Sequence, residues 1–235
     1  MSTFKNVVAV DWRSKKDHCY FFFKDTGTYC RYDNSKDSIP SEFPKPVTEH
    51  NWGAFHPHVK NLRFGFATTR IAGDNRFGWD TDILWLFYYE QGTPMVCEYD
   101  QDLDTPVSFK RVDQSIWAML TPYFDKIITG TTWQTPFKVT GKYIFKFILN
   151  DGTYIHLDWQ NKKPVIDDIN DNTWPGLAPY AGDIITAVQI DADFTDSYLY
   201  IFLNRNIYVK YNMGKNRLEG DERSIAQNWP GLMPQ

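Results

Sequence analysis

The sequence predicts an all-β protein, a four-bladed β-propeller of four strands per blade. Three observations predict it. Tryptophan-centred segments recur as "NWGAF" at Trp52, "IWAML" at Trp117, "TWPGL" at Trp174 and "NWPGL" at Trp229, at intervals of 65, 57 and 55 residues. Upstream of each lies a strand-like segment: "YCRYD" ending at Asp33, "VCEYD" at Asp100, "YIHLD" at Asp158 and "YVKYN" at Asn212. Its fourth residue precedes the tryptophan by 20, 18, 17 and 18 positions. Thirteen residues past the first three tryptophans stand Gly65, Gly130 and Ala187, and Ala9 supplies the counterpart near the N-terminus. A period of this length marks stacked or radially arranged units, and four such units of four strands define the small end of the propeller range.

Each unit reads alike from its start. A first strand holds the small residue: "VVAVDW", "RFGFATT", "TGTTW" and "TAVQI". Four innermost strands crowd one axis, so a branched Cβ there would collide with a neighbour. A second, apolar strand follows: "CYFFF", "ILWLFYY", "YIFKFIL" and "YLYIFL". Then comes a tight turn rich in Gly, Asn and Asp, residues suited to hairpin positions with φ > 0. The third strand alternates, and its polar members Arg31, Glu98, His156 and Lys210 are expected to face solvent. A stretch rich in Pro and charge, such as "SIPSEFPKPV" or "KKPVIDDI", is confined to an edge strand or loop. A short helical piece at the tryptophan leads to the next unit. The second unit carries an insertion, "RIAGDNRFGWDTD", between its first two strands. The expected layout is one domain over residues 1–235, with blades near 5–60, 61–126, 127–183 and 184–235.

The bulk numbers agree with this reading and exclude others. Aromatic residues make up 17% of the chain, with nine Trp, and large rings suit pleated surfaces. The net charge of −4, without a run of Lys and Arg, argues against a nucleic-acid partner. No stretch approaches ~18 apolar residues, so no membrane insertion is expected. The start "MSTFKNVVAV" lacks a signal-peptide pattern. Three cysteines, Cys19, Cys30 and Cys97, give no complete disulfide framework, and Cys30 and Cys97 are expected as buried thiols. The expected location is cytoplasmic, or exported without a signal peptide.

The segments "YFFFKDTGTYCRYD" and "EFPKPVTEHNWGAF" resemble the hemopexin-like repeat, and the resemblance extends over essentially the whole chain. It implies a four-bladed propeller whose central channel holds ions: calcium, sodium or chloride. The family's Asp-Ala-Ala opening of the inner strand is absent here, which leaves the channel to backbone carbonyls. Those expected to line it belong to Val8, Val10, Phe64, Phe66, Thr129, Thr131, Thr186 and Val188. The disulfide that ties first to last blade in extracellular members is also absent, because the fourth repeat has no Cys. In these respects the chain is similar to the single-domain, seed-albumin type. That resemblance implies a non-enzymatic protein binding a small ligand such as haem or a polyamine. The alternative is a carbohydrate-binding lectin with a defence role. A homodimer through blade edges is a further expectation.

Several residues are candidates for ligand contact. Trp12 and Trp133 each fall three residues past the small inner residue, where they either fill space between sheets or stack on a sugar or flat ligand. Trp79 in the insertion sits beside Asp74, Asn75, Arg76, Asp80 and Asp82, groups suited to sugar hydroxyls. His156 is the candidate haem ligand. His56 and His58 lack the further donors a metal needs, so no side-chain metal ligands are expected. No Ser/His/Asp set, phosphate loop or zinc motif occurs, so no catalytic residue is assigned.

Overall fold

The computed structural model describes residues 4–14, 18–69, 71, 82–133, 143–190 and 197–233. The first sheet is formed by β1 (Val7–Trp12), β2 (His18–Phe23), β3 (Thr28–Asp33) and β4 (Lys45–Pro46). The second comprises β5 (Leu62–Thr69), β6 (Asp82–Glu90), β7 (Thr93–Asp100) and β8 (Thr105–Arg111). In the third are β9 (Ile127–Thr132), β10 (Ile144–Leu149), β11 (Thr153–Asp158) and β12 (Lys163–Asp168). The fourth holds β13 (Ile184–Ile190), β14 (Tyr198–Leu203), β15 (Ile207–Asn212) and β16 (Arg217–Leu218), with β17 (Arg223–Ser224) also pairing with β15. Every sheet is an antiparallel meander in chain order. The four sheets form a four-bladed β-propeller, as the repeat predicts.

Turn chemistry fixes the strand registers. Gln91 and Gly92 join β6 to β7 with φ of 49° and 79°, the pair of positive values a two-residue type I′ hairpin requires. The outer edges are blunted. β4, β16 and β17 have two residues each, and the outer strands β4, β8 and β12 carry Pro46, Pro106 and Pro164.

The inner strands pack side by side around the axis: β1 with β5, β5 with β9, β9 with β13, and β13 with β1. They interlock. A Cβ on Gly65 would lie 2.8 Å from Val10 Cγ1, and one on Gly130 would lie 3.0 Å from Phe66 Cδ1. Thr129 donates to the Ala187 carbonyl at 3.2 Å, and the Ala9 N–H donates to Thr186 Oγ1 at 2.9 Å. Each small residue therefore meets a side chain from the preceding blade. The collision predicted at the axis is real: its partner is the neighbouring inner strand at Gly65, and both that strand and Phe147 of the same blade at Gly130.

The apolar core is divided into four clusters, each lying between adjacent blades. Phe66, Trp85, Trp117 and Phe147 belong to the cluster between the second and third. Phe4, Phe21, Phe202 and Trp229 belong to the one between the fourth and first. All four repeat tryptophans are buried, and the indole N–H groups of Trp117, Trp174 and Trp229 meet no hydrogen-bond acceptor among the described residues. Ring faces surround them instead: Trp52 stands edge-on to Tyr20 and Tyr29 at 88° and 90°, an arrangement the aromatic quadrupole favours. Short helices adjoin three of these tryptophans, at Glu49–Trp52, Ala118–Tyr123 and Ile225–Asn228. Cys19, Cys30 and Cys97 are buried free thiols, and burial pushes each thiol's pKa up.

Candidate functional site

The inner strands end together at one mouth of the propeller, and their backbone decides what the axis can hold. An antiparallel strand turns the N–H and C=O of one residue to the same side. The axis-facing groups are those of the small residues and their alternates. Ala67 N–H donates to Asp11 Oδ1 at 2.8 Å, and its carbonyl accepts from Thr132 Oγ1 at 3.1 Å. The Trp133 N–H, by contrast, pairs with the Ile144 carbonyl, so Thr131 and Thr129, at the same alternation, also turn toward β10. The carbonyls of Val8, Val10, Phe64, Phe66, Thr129, Thr131, Thr186 and Val188 thus face the second strands, which corrects the expected ion-lining set.

Four of the groups that do face the axis are already paired. The Ala67 and Ala187 carbonyls already accept threonine hydroxyls, and the Ala9 and Ala67 N–H groups already donate. Among the described residues, no group of three or more His, Cys, Asp and Glu is placed to hold a metal ion.

Polar side chains gather at the mouth. Asp11, at the end of β1, bonds Arg13 Nε through its second oxygen at 2.9 Å. Gln101, just past β7, accepts from the Arg13 N–H at 2.7 Å and donates to the Asp11 carbonyl at 3.3 Å. Opposite them Thr131 donates to the Gln189 side chain. Asp11 and Gln101 are buried, while Arg13 is half-buried. Carboxylate, guanidinium and amide together suit a ligand rich in hydroxyls, since each offers directional donors or acceptors. The sequence hides this set, because the polar residues come from inner-strand ends in some repeats and from a third-strand end in another.

Trp12 and Trp133 lie at this mouth but are 7% and 9% exposed. Trp12 packs on Tyr20, Trp52 and Tyr99, and Trp133 on Trp174 and Tyr211. They are walls of the structure and not open stacking platforms. Trp79, Asn75 and Asp80 lie outside the described residues. His156 is half-buried on β11, and burial holds its pKa below the usual imidazole value, helped by Lys146. Glu98, expected in solvent, is buried and accepts from Ser108 Oγ at 3.0 Å. On the outer strand β8, Ser108 stands directly opposite it.

One site escaped sequence reasoning altogether. Lys146 on β10 is 8% exposed, and its ammonium lies 3.6 Å from the Trp133 ring centre, 4.5 Å from Trp174 and 5.4 Å from Tyr154. Burial lowers its pKa to about 8. In the other blades the equivalent position, set by pairing with the inner strand, holds Tyr20, Trp85 or Tyr200. A polar residue among the apolar letters of "YIFKFIL" was the available signal.

Fold and mouth together define a small four-bladed propeller with a polar, tryptophan-flanked opening. Among solved structures the chain is similar to a 2S albumin seed protein from Dolichos, at 17% identity and a TM-score of 0.64, covering 97% of this chain and 98% of that one. It is also similar to a plant albumin from Cicer arietinum showing hemagglutination, at 16% identity and a TM-score of 0.65, covering 97% and 96%. At this identity the likeness shows the fold. No protein-family model matches the chain, and no curated protein matches it. The hemopexin-like resemblance therefore rests on the repeat motifs alone. No helix among the described residues is long and apolar enough to cross a membrane.

Proposed function

We propose that this chain is a non-catalytic carbohydrate-binding protein that engages its ligand at the mouth where the inner strands end. The observation that carries this reading is the cluster of Asp11, Arg13, Gln101 and Gln189 flanked by two indoles. The similar fold of an albumin showing hemagglutination supports it. Trp79, Asn75 and Asp80, which fall in sequence between β5 and β6, are taken as further candidate ligand contacts in this reading. A glycan array, with red-cell agglutination alongside, tests the reading. One glycan class should bind and raise the melting temperature; ligand at 100-fold its Kd adds about 2.7 kcal/mol. Arg13→Ala or Trp79→Ala should weaken that binding by about tenfold or more, a loss of roughly 1.4 kcal/mol. Binding to no glycan at all sinks the proposal.

A small-ligand reading stands second, favoured by His156. A neutral, half-buried imidazole is the form that ligates haem iron. Titration with haemin should then give a Soret shift that His156→Ala abolishes. For a polyamine the support is weaker, because the cation-holding ring cage of the third blade already contains Lys146.

A further inference from the structure

We propose that the outer edge of the third blade, strand β12, pairs antiparallel with β12 of a second copy of this chain. Of the outer edges it is the least protected. β4, β16 and β17 have two residues each, and the pairing of β8 with β7 shifts register between Glu98 and Tyr99. β12 runs unbroken for six residues, each opposite a residue of β11. Among the described residues no strand lies on its other side. Val165 and Ile166 are 54% and 48% exposed, and they are the one adjacent pair among the exposed large hydrophobic residues described. An open, apolar edge of this length is a template for another strand.

The charges select the strand that fits. From Lys162 to Asp168 the edge reads "KKPVIDD", basic at one end and acidic at the other. A copy turned by a twofold axis at Val165 sets Lys163 opposite Asp167 and Lys162 opposite Asp168, twice over by symmetry. Val165 then meets its own counterpart. Backbone directions agree with this register. The Ile169 N–H donates to the Gly152 carbonyl, at the start of β11, at 3.0 Å. By alternation Val165 and Lys163 also turn toward β11, while Pro164, Ile166 and Asp168 turn outward. Asp168 directs its N–H to Asp167 Oδ1 at 2.8 Å, which leaves Ile166 as the outward donor. In this register the Ile166 N–H faces the Pro164 carbonyl of the second copy. Pro164 has no N–H, and here it needs none. Neighbouring symmetric registers fit worse. Centred on Pro164, two prolines meet with no donor between them. Centred on Ile166, Lys163 faces Ile169 and Val165 faces Asp167. β8 offers no such match, because Thr105–Arg111 holds the cations Lys110 and Arg111 and no acid.

The pairing is independent of ligand binding. A dimer carries two mouths, and bridging two cells requires two sites on one particle; that consequence alone rests on the carbohydrate reading. A single six-residue strand makes a small interface, so the dimer is weak and reversible. Sedimentation equilibrium without ligand, from about 5 to about 500 µM chain, should show monomer and dimer in exchange. Lys163→Asp and Asp167→Lys should each weaken self-association by about tenfold or more, since like charges then face each other. An equimolar mixture of these two variants should associate again, because every facing pair is once more opposite in charge. That recovery excludes misfolding as the cause of either loss. Ile166→Pro removes the outward N–H without touching the ladder to β11, and should also weaken the dimer. Raising salt from about 0.05 to about 0.5 M should do the same. A chain that stays monomeric throughout overturns the proposal and leaves the edge to an extended segment of a different protein. A dimer indifferent to Lys163→Asp and Ile166→Pro, or variants that fail to associate when mixed, overturns it as well.

Discussion

At the scale of the residue, Lys146 shows how one departure from a repeat changes the energetics of a blade. Taking an ammonium out of water disfavours the charged form, and the faces of Trp133 and Trp174 return part of that loss. The folded pKa of about 8 lies below the usual lysine value of 10.5. Below about pH 8 the group is protonated in both folded and unfolded chains, and its burial penalty is fully present. Between about 8 and 10.5 the unfolded chain binds the proton more tightly than the folded one, so stability rises with pH. The gain is bounded at roughly 3 kcal/mol. Urea unfolding of wild type and Lys146→Met from pH 7 to 10.5 measures it. The variant should be the more stable at pH 7, with the difference shrinking toward pH 10.5. A constant difference across that range rules out this account of Lys146.

At the scale of the element, the inner strands explain both what the sequence shows openly and what it conceals. Each strand turns large side chains toward the following blade and a small residue toward the preceding one. Gly130 is the tightest case: a Cβ there would lie 2.7 Å from the Phe147 ring as well as 3.0 Å from Phe66. Gly130→Ala should therefore cost about 1–3 kcal/mol through overpacking, read as a lower urea midpoint with an unchanged slope. Equal or greater stability would mean that the interlock is loose. The small residues, the strand order and the hairpins were legible because sterics leaves few residue types for each position. Gly65, Gly130 and the Gln91-Gly92 turn are examples. Which way a strand turns its carbonyls was not legible, because residue type does not encode it. The ion-lining set expected at Val8, Phe64 and their counterparts was displaced by one residue for that reason. The mouth cluster was hidden too, since Arg13 and Gln101 lie 88 positions apart and meet only when two blades close. Glu98 and His156 share a position in the repeat, yet one is buried and the other half-exposed. Each faces an outer strand, with Ser108 opposite Glu98 and Val165 opposite His156.

At the scale of the whole molecule, the ring has no end blade, because each apolar cluster belongs to two neighbours. The seam between fourth and first blades is built from both ends of the described chain. Phe4 packs on Phe21 and Phe202 with ring centres 6.4 and 5.3 Å apart, and its N–H donates to Asn206 Oδ1 at 2.7 Å. Trp229 packs at a tilt on Tyr32, with ring centres 4.4 Å apart, and lies 5.6 Å from Phe21. Opening this seam would expose apolar surface on two blades at once and remove the Ala9–Thr186 link between their inner strands. A seam substitution should consequently act on the ring as a unit. Phe4 is 1% exposed, so Phe4→Ala should cost about 3–5 kcal/mol. Because the clusters are shared, the loss should appear as one transition at lower urea concentration, with fluorescence and far-ultraviolet circular dichroism coincident. Two separated transitions, one for the first and fourth blades and one for the rest, would show instead that the blades fold as independent pairs. Coupling around a closed ring then could not be what holds the four sheets together.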